Sequence, residues 1–371
     1  MLEQKLPVLI FAQCGRFLAQ SATQAGYTVW VVDCFGDQDT LTVTDRWQKI
    51  PPLKQLDQQN ILNTLLEITR GQKCNLVCGG GIESHYPFLT QLPDNIHLLG
   101  NSPKTIHTVK TPRLFFELLS RFDIAYPPTQ LSPPDNTKNW LAKSASGLGG
   151  SHIQYLATHF QPIDHYFQAH ILGLSGSAIF LANGQHAIVL SINQQKSLPT
   201  NKHASFTLWS IETPWAIAEQ HQRQLEQAVS KIVVEAQLIG LNSIDFIISE
   251  KNELLILEIN PRPSASTELI QAELPLIQHH INACQGRLPE KVINQFIIKS
   301  SLRYIFTSDD VIIPNGMHWP SGCHDLPAAN TSIKKGDPIC TSIIQATDFQ
   351  QADQQHDAIE NKINQQIRQS R

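Results

Sequence analysis

The chain has 371 residues and a net charge of −4, with 41% hydrophobic and 16% charged residues. This length suggests about two to three domains. The apolar share excludes a disordered chain, which would be rich in charge and poor in apolar residues. No apolar run reaches the roughly 18 to 20 residues that a membrane-spanning helix needs. No block rich in Lys and Arg is visible, so we expect neither a nucleic-acid partner nor a membrane partner.

The 7 cysteines indicate a reducing cellular compartment. Their count is odd and their spacing irregular, which argues against a disulfide framework. Cys74 and Cys78 are not followed by a second pair, so their spacing is not typical of a zinc site. Residues 1–5 carry charges of both signs and lack the layout of a signal peptide. We therefore expect a cytoplasmic protein.

The N-terminal segment predicts a βαβ unit. Residues 7–13 form a strand, a helical pattern ends at Gly26, and residues 28–32 form a second strand closed by Asp33. An acid at that point binds ribose in dinucleotide folds. The turn at residues 13–16 (QCGR) is not G-x-G-x-x-G, however. The turn therefore argues against a nucleotide site at this end. It favours a Rossmann-like domain that forms one wall of a substrate cleft.

A glycine turn follows the next predicted strand, at residues 75–78. Gly79, Gly80 and Gly81 allow close approach of a ligand to the backbone at the carboxyl edge of a parallel sheet. Glu83 follows in the same loop and is a candidate for contact with the cleft. The alternatives are a tight strand-to-helix turn for the glycines and an exposed capping carboxylate for Glu83.

The rest of the chain alternates strands and helices. Ser102 or Asn101 caps a helix that has Pro103 in its first turn. In chain order, the pattern then predicts a proline-rich boundary loop at 127–139, a strand hairpin near 166–190 with its turn at 183–184, a helix at about 214–238, strands at 243–249 and 253–259, a strand-rich region at 301–345 and a polar helix at 351–369. His279 and His280 lie in a further helical stretch and are expected to face solvent or to cap it.

An acidic hairpin is the strongest chemical signal. Glu258 and Asn260 are two residues apart on one strand and therefore point to the same face. A hairpin brings Asp245 on the preceding strand beside them. Two carboxylates and an amide oxygen form a hard-oxygen set suited to Mg²⁺. The alternative is an acidic strand end that faces solvent.

A glycine-rich loop after a lysine is the second signal. Lys143 ends a short strand, and Gly147, Gly149 and Gly150 follow it. Successive backbone N–H groups in such a loop can form a nest for phosphate, and the lysine adds positive charge. The order differs from the P-loop, in which the lysine follows the glycines.

This order of features resembles the ATP-grasp superfamily. The resemblance covers the whole chain and rests on residues 33–40 (DCFGDQDT), 101–103 (NSP), 149–152 (GGSH) and 257–266 (LEINPRPSAS). More narrowly, the chain looks like predicted ATP-dependent carboligases that are related to biotin carboxylase and associated with methylotrophic C1 metabolism. The resemblance implies an α/β protein with α+β lobes. Its parts would be a Rossmann-like pre-ATP-grasp domain at 1–102, an ATP-grasp clamp at 103–290 with a mobile hairpin lobe at about 125–190, and a strand-rich C-terminal extension with a terminal helix at 291–371.

The resemblance also implies roles for individual residues. The nucleotide would be ATP, with Mg²⁺ or alternatively Mn²⁺. Lys143 and Arg262 would be catalytic, and Asp245, Glu258 and Asn260 would hold the metal. The ATP-binding set would be Lys110, Lys143, Ser146, Gly147, Gly149, Gly150, His152 and the hinge residues Gln168, Ala169, His170 and Ile171. The substrate set would be Gly80, Gly81, Glu83, Arg262 and Ser264.

The activity that the resemblance implies is ATP-dependent carboxylate–amine ligation through an acylphosphate, with release of ADP and phosphate. The partners would be a small carboxylate and a small amine, and a homodimer is a candidate assembly. The genomic association suggests a step in making a C1-carrier cofactor, methylofuran or tetrahydromethanopterin. Two alternatives stay open: a carboxylating enzyme like biotin carboxylase, and a nucleotide-binding protein without turnover.

Overall fold

A computed structural model describes residues 5–145, 147, 149–157, 165–199, 206–270, 275–290 and 299–369, apart from the side chain of Lys54. The described strands form sheets of five, four, eight and two strands. The mixed α/β architecture agrees with the class expected from the sequence. None of the helices in the described ranges is long and apolar enough to cross a membrane.

The N-terminal unit is a parallel sheet with the order β3-β2-β1-β4-β5. Buried apolar side chains on both faces of the central strands explain why helices cover the two sides. Its elements are β1 (Val8–Phe11), α1 (Arg16–Gln24), β2 (Val29–Asp33), α2 (Gln38–Leu41), β3 (Arg46–Lys49), α3 (Gln58–Thr69), β4 (Cys74–Cys78) and β5 (Ile96–Leu98). The glycine turn leaves the carboxyl end of β4, at the edge where such sheets bind ligands.

A pair of helices and a small antiparallel sheet follow. The side chain of Ser102 accepts a hydrogen bond from the N–H of Thr105, and Pro103 begins the helix, so this predicted cap is confirmed. The small sheet has the order β6-β9-β7-β8. The elements are α4 (Pro103–Lys110), α5 (Pro112–Arg121), β6 (Thr129–Gln130), β7 (Trp140–Ser144), β8 (Ile153–Tyr155) and β9 (His165–Ala169).

The eight-stranded sheet forms the body of the remaining chain, with the order β14-β13-β10-β11-β12-β15-β19-β17. The C-terminal strands extend this sheet, while β16 and β18 pair separately. Its elements and the helices beside it are β10 (Gly173–Asn183), β11 (Ala187–Ser197), β12 (Leu208–Thr213), α6 (Glu219–Ala236), β13 (Ile239–Ser249), β14 (Leu254–Asn260), α7 (Leu276–Cys284), β15 (Lys299–Phe306), β16 (Val311–Ile312), β17 (Cys323–His324), β18 (Ser332–Ile333), β19 (Pro338–Ala346) and α8 (Phe349–Gln369).

Two predictions are corrected. The expected hairpin near 166–190 is divided, because β9 joins the small sheet while β10 pairs with β11 and β13 in the large one. His279 and His280 do not face solvent, since only 7% and 1% of their surfaces are exposed. The ring of His280 accepts a hydrogen bond from the N–H of Leu241 and contacts the carbonyl of Leu99 at 3.0 Å, so it joins α7 to β13 and to the N-terminal unit.

Candidate active site

The hairpin of β13 and β14 brings the three expected metal ligands together. Asp245 lies directly opposite Glu258, and Ser243 lies opposite Asn260. The Nδ2 atom of Asn260 donates to Oδ2 of Asp245 at 3.2 Å. The apolar strand residues on the other face pack against α6 and hold this hairpin in place. One rigid edge of the large sheet therefore presents two carboxylates and an amide.

Lys110, at the end of α4, reaches this cluster. Its Nζ atom donates to Oε2 of Glu258 at 3.0 Å. Burial opposes ionisation of Glu258, yet the ammonium groups of Lys110 and Lys143 hold the pKa of its carboxyl below the ordinary value. Burial and the charge of Glu258 together raise the pKa of Asp245. With both carboxyls ionised, the cluster would carry more negative charge than the ammonium of Lys110 neutralises, which is why Asp245 holds its proton in the absence of a further cation.

This donor set fits a divalent cation. Carboxylate and amide oxygens are the ligands that Mg²⁺ takes, and the repulsion that raises the pKa of Asp245 is what such an ion would relieve. The amide nitrogen of Asn260 faces Asp245, so the amide would turn over to present its oxygen to the same ion. Asp245, Glu258 and Asn260 would hold the ion.

Lys143 lies on β7 of the small sheet and is buried. Its Nζ atom donates to Oε1 of Gln168 at 2.7 Å, and Nε2 of Gln168 donates to the hydroxyl of Thr129 at 3.0 Å. Burial lowers the pKa of Lys143 to about 8, while Glu258 and Asp245 act in the opposite direction. Glu258 and Asp245 are thus close enough to Lys143 to affect its pKa, although they belong to a different sheet. Gln168 thus positions a lysine across from the acidic hairpin.

The backbone of the expected adenine hinge is partly engaged. The N–H of Ala169 donates to the carbonyl of Pro128, and the N–H of His170 donates to the carbonyl of Asn139, both at 2.8 Å. These two donors are therefore used inside the small sheet. Ile171 lies outside every strand, and within the described ranges no backbone acceptor contacts its N–H. Of the hinge residues predicted from the sequence, Ile171 has the backbone donor best placed to read a base edge.

The glycine-rich loop is tightly constrained where the structure describes it. A Cβ added to Gly147 would lie 1.8 Å from the ring of His152, and one added to Gly150 would lie 1.8 Å from the carbonyl oxygen of Phe206. The carbonyl of Gly149 accepts a hydrogen bond from the N–H of Leu208 at 3.0 Å. Ser146, expected to bind phosphate, lies outside the described residues.

Arg262 connects the acidic hairpin to the glycine turn of the N-terminal unit. Its Nε atom donates to Oε1 of the buried Glu83 at 2.7 Å. The other oxygen of Glu83 accepts from the N–H of Gly81 at 3.0 Å. A Cβ on Gly80 would lie 4.0 Å from Cζ of Arg262, so the turn passes directly beside the guanidinium. Neither Glu83 nor Arg262 is a solvent-facing charge.

Two residues have structural contacts that the sequence did not predict. Ser264 forms a capping box with Thr267 at the start of the 3₁₀ helix Ala265–Leu269. Asp33 accepts hydrogen bonds from the N–H groups of Gly15 and Gly36 and from the ring of Trp47, which leaves it as a fold-stabilising carboxylate.

Sequence reasoning missed Gln195 on β11. Its Nε2 atom donates to Oδ1 of Asp245 at 3.4 Å, so it helps to orient a candidate ligand. Because side chains point alternately to the two faces of a strand, the sequence of β11 could have placed Gln195 on one face. Nothing in the sequence showed that β11 lies two strands away from β13.

Comparisons with known proteins agree with this geometry. Residues 110–266 match the family model described as the ATP-grasp domain. An uncharacterized protein of Methanocaldococcus jannaschii is 22% identical over 91% of this chain and 88% of its own length. The N5-carboxyaminoimidazole ribonucleotide synthase of Staphylococcus saprophyticus is 24% identical over 76% of this chain and 77% of its own length.

Solved structures show the same fold over nearly the whole chain. The biotin carboxylase domain of Hydrogenobacter thermophilus 2-oxoglutarate carboxylase, in complex with MgADP, ADP and bicarbonate, has a TM-score of 0.75 at 15% identity and covers 96% of this chain and 90% of its own. An L-amino acid ligase from Bacillus licheniformis has a TM-score of 0.74 at 11% identity, with coverage of 97% and 98%.

The fold and the matched domain define the class. Residues 110–266 match the ATP-grasp domain, and the chain shares its fold with the biotin carboxylase domain and with the L-amino acid ligase. The proteins that it resembles are named as carboxylases, synthases and ligases.

Proposed function

We propose that the protein is an ATP-dependent ligase that activates a small carboxylate as an acylphosphate and transfers the acyl group to an amine. The observation that carries this proposal is the partly buried cluster of Lys110, Asp245, Glu258 and Asn260 near Lys143 and Arg262. Carboxylates are poor acyl donors, and phosphorylation by ATP makes them reactive. ADP and phosphate are then released.

The residues present supply what phosphoryl transfer needs, which is positioning and charge neutralisation. Lys110 contacts Glu258, Lys143 lies near the same hairpin, and both would contact the phosphates of ATP. Bound Mg²⁺ would neutralise phosphate charge at Asp245, Glu258 and Asn260.

Arg262 would hold the carboxylate that becomes phosphorylated. Its Nε atom is occupied by Glu83, which fixes the plane of the guanidinium and directs its outer edge away from that ion pair. A planar fork of N–H donors can bind a carboxylate or a phosphate with two parallel hydrogen bonds. Gly80 puts no side chain between the glycine turn and the guanidinium.

Bicarbonate is a second candidate for the carboxyl group. This alternative is favoured by relatives whose names contain N5-carboxyaminoimidazole ribonucleotide synthase and biotin carboxylase. The product would then be a carboxylated amine instead of an amide. The finer proposal places the ligase version in assembly of a C1-carrier cofactor, methylofuran or tetrahydromethanopterin, in the cytoplasm and as a homodimer.

ADP release separates these functions. Purified protein and Mg-ATP are mixed with hydroxylamine and one candidate acyl donor at a time. The donors are bicarbonate and a panel of amino acids and dicarboxylates. An acid that is converted into its hydroxamate identifies a carboxylate ligase, whereas ADP release that depends on bicarbonate alone identifies a carboxylating enzyme. Nucleotide binding without ADP release from any mixture would support a protein without turnover.

A further inference from the structure

Residues 33–40 (DCFGDQDT) lie outside the ATP and metal sites described above, and one of them meets two distant parts of the chain. A carboxylate oxygen of Asp37, the Sγ atom of Cys14 and a carboxylate oxygen of Asp325 all lie within 4.8 Å of one another. We call these three residues the Asp37 cluster. Cys14 follows β1 and Asp37 follows β2, so the cluster lies at the carboxyl edge of the N-terminal sheet, where such sheets bind ligands.

Asp325 is fully used by its neighbours. Its Oδ1 atom accepts from Sγ of Cys14 at 3.1 Å and from Nε of Arg16 at 2.7 Å. Its Oδ2 atom accepts from the hydroxyl of Thr341 and from Nη2 of Arg16, the latter at 3.3 Å. These contacts fill the roughly four lone-pair sites of a carboxylate. A metal ion would have to take one of these sites beside the guanidinium of Arg16, whose charge repels it.

Asp37 is the unpaired acid of the cluster, although only 6% of its surface is exposed. Sγ of Cys14 lies 3.9 Å from its carboxylate, but a thiol has one proton and Asp325 is closer to it, at 3.1 Å. Asp37 precedes α2, yet its side chain accepts no hydrogen bond from that helix. Within the described ranges, no other donor contacts this carboxylate. An acid that is so deeply buried is rarely left without a partner.

The surroundings of Asp37 hold an excess of negative charge. Burial and the charges of three neighbouring aspartates raise its pKa to about 7. Those neighbours are Asp325, Asp33 and Asp39. Arg16 acts in the opposite direction, but its guanidinium is already bound to two other carboxylates. Water can satisfy a buried hydroxyl but cannot balance a charge, so Asp37 holds a proton until a further cation approaches.

The Asp37 cluster can be reached from solvent and lies near the proposed acyl-donor site. Gln13, beside Cys14, is exposed, and 23% of the side-chain surface of Asp325 is exposed. Burial and the charge of Asp325 raise the pKa of Tyr304 on β15, while Arg262 acts in the opposite direction. Tyr304 is thus close enough to both Asp325 and Arg262 for their charges to affect its pKa. The cluster is therefore a neighbour of the cation proposed to hold the carboxylate.

We infer that the Asp37 cluster binds an ammonium group of the acceptor, so that the acceptor is a diamine with its second amine free to react. The inference rests on the proposed function. An ammonium group brings one positive charge and three N–H donors, which Asp37 lacks, and it leaves the contacts of Asp325 in place. The free amine forms the C–N bond of the amide as the C–O bond to phosphate breaks. Phosphate leaves with that electron pair, and one amine proton passes to water.

Diamines of three lengths test this inference: trimethylenediamine, putrescine and cadaverine. Each is compared with the amino alcohol of the same length, which lacks the second ammonium group. Isothermal titration in the presence of MgADP measures their binding to the wild type, to Asp37→Asn and to Asp94→Asn. Asp94 is the matched control, because it is exposed in the turn before β5, at the opposite edge of the sheet, and its substitution changes the net charge equally.

We expect at least one diamine to bind the wild type and Asp94→Asn about tenfold or more tightly than its amino alcohol does. Asp37→Asn should lose this preference, which is the effect of one lost hydrogen bond to a charged group. Equal binding of diamines and amino alcohols by the wild type would overturn the inference. Unchanged diamine binding by Asp37→Asn would overturn it as well.

Thermal unfolding without added amine separates a ligand site from a structural role. The amide of Asp37→Asn is uncharged and close in shape to the carboxyl, so this variant should unfold at or above the wild-type temperature. A lower temperature would show that Asp37 supports the fold, and stabilisation of the wild type alone by Zn²⁺ would show a metal site; either result contradicts an ammonium site.

ATP titration of the same samples keeps the proposed function separate. Diamine binding without ATP binding would retire the ligase and keep the ammonium site. ATP binding without any preference for diamines would retire the ammonium site and keep the ligase.

Discussion

At the scale of single residues, the site is a balance of partly buried charges. Lys110 is held by Glu258 and Arg262 is held by Glu83, each an acid from another part of the chain, whereas Lys143 is held by the amide of Gln168. The alternation of Glu258, Asn260 and Arg262 was visible in the sequence. The partner of Arg262 was not, because 179 residues separate it from Glu83 and no local pattern links them.

Replacing one ligand charge should stop catalysis without unfolding the protein. We expect Glu258→Gln to lower turnover by at least about a hundredfold, since phosphoryl transfer depends mainly on charge neutralisation. Far-UV circular dichroism should stay unchanged. Glu250→Gln, in the exposed turn of the same hairpin, is the control and should keep wild-type activity. Near-full activity of Glu258→Gln would remove Glu258 from the metal site.

Arg262→Lys should lower turnover by about tenfold or more, which corresponds to roughly 1.4 kcal/mol. Lysine keeps the charge but lacks the planar fork that binds Glu83 on one edge and substrate on the other. The affinity for ATP should change little, because the phosphate contacts are proposed to come from Lys110 and Lys143. Steady-state rates of ADP release together with nucleotide titration check both halves, and a wild-type rate would exclude this arginine from the mechanism.

At the scale of elements, helix α7 is fixed by a neutral histidine. Sequence reasoning placed His279 and His280 at the surface, because one short helical stretch does not show that it is covered from two sides. Burial lowers the pKa of His280 to about 4. An unfolded chain takes up this proton near pH 6.5, whereas the folded chain resists it until about pH 4. The unfolding free energy should therefore fall as the pH drops through this window.

The expected loss from His280 is about 3 kcal/mol between pH 6.5 and pH 4. His356, whose pKa is also lowered to about 4, adds a similar slope that is common to wild type and variant. Urea unfolding of the wild type and of His280→Gln across this range checks the sign and the size. The variant should show the shallower dependence on pH, and parallel curves would show that His280 does not stay neutral in the folded protein.

At the scale of the whole molecule, one arginine joins three parts of the chain. Arg16 of α1 binds Asp325 before β18 and Glu268 of the 3₁₀ helix after the acidic hairpin, and only 2% of its surface is exposed. The ATP-grasp fold was predicted from sequence motifs. The ion pairs of Arg16 could not be predicted, because Glu268 and Asp325 are 252 and 309 residues away from it in the sequence.

Arg16→Met should destabilise the protein by about 3 kcal/mol, because two partly buried carboxylates would lose their buried cation. Arg113→Met is the control: Arg113 pairs with Glu117 on the surface of α5, and its loss should cost less than about 1 kcal/mol. Chemical denaturation of both variants measures the difference. Equal stability of the two would show that the buried cluster does not hold the parts together.

The central claim is that the acidic hairpin and the two lysines form a site for Mg-ATP. Isothermal titration of ATP into the wild-type protein, with Mg²⁺ and then with EDTA, tests it most directly. The account predicts saturable binding of one nucleotide with Mg²⁺ and much weaker binding in EDTA. No detectable binding of ATP at millimolar concentration in the presence of Mg²⁺ would contradict it.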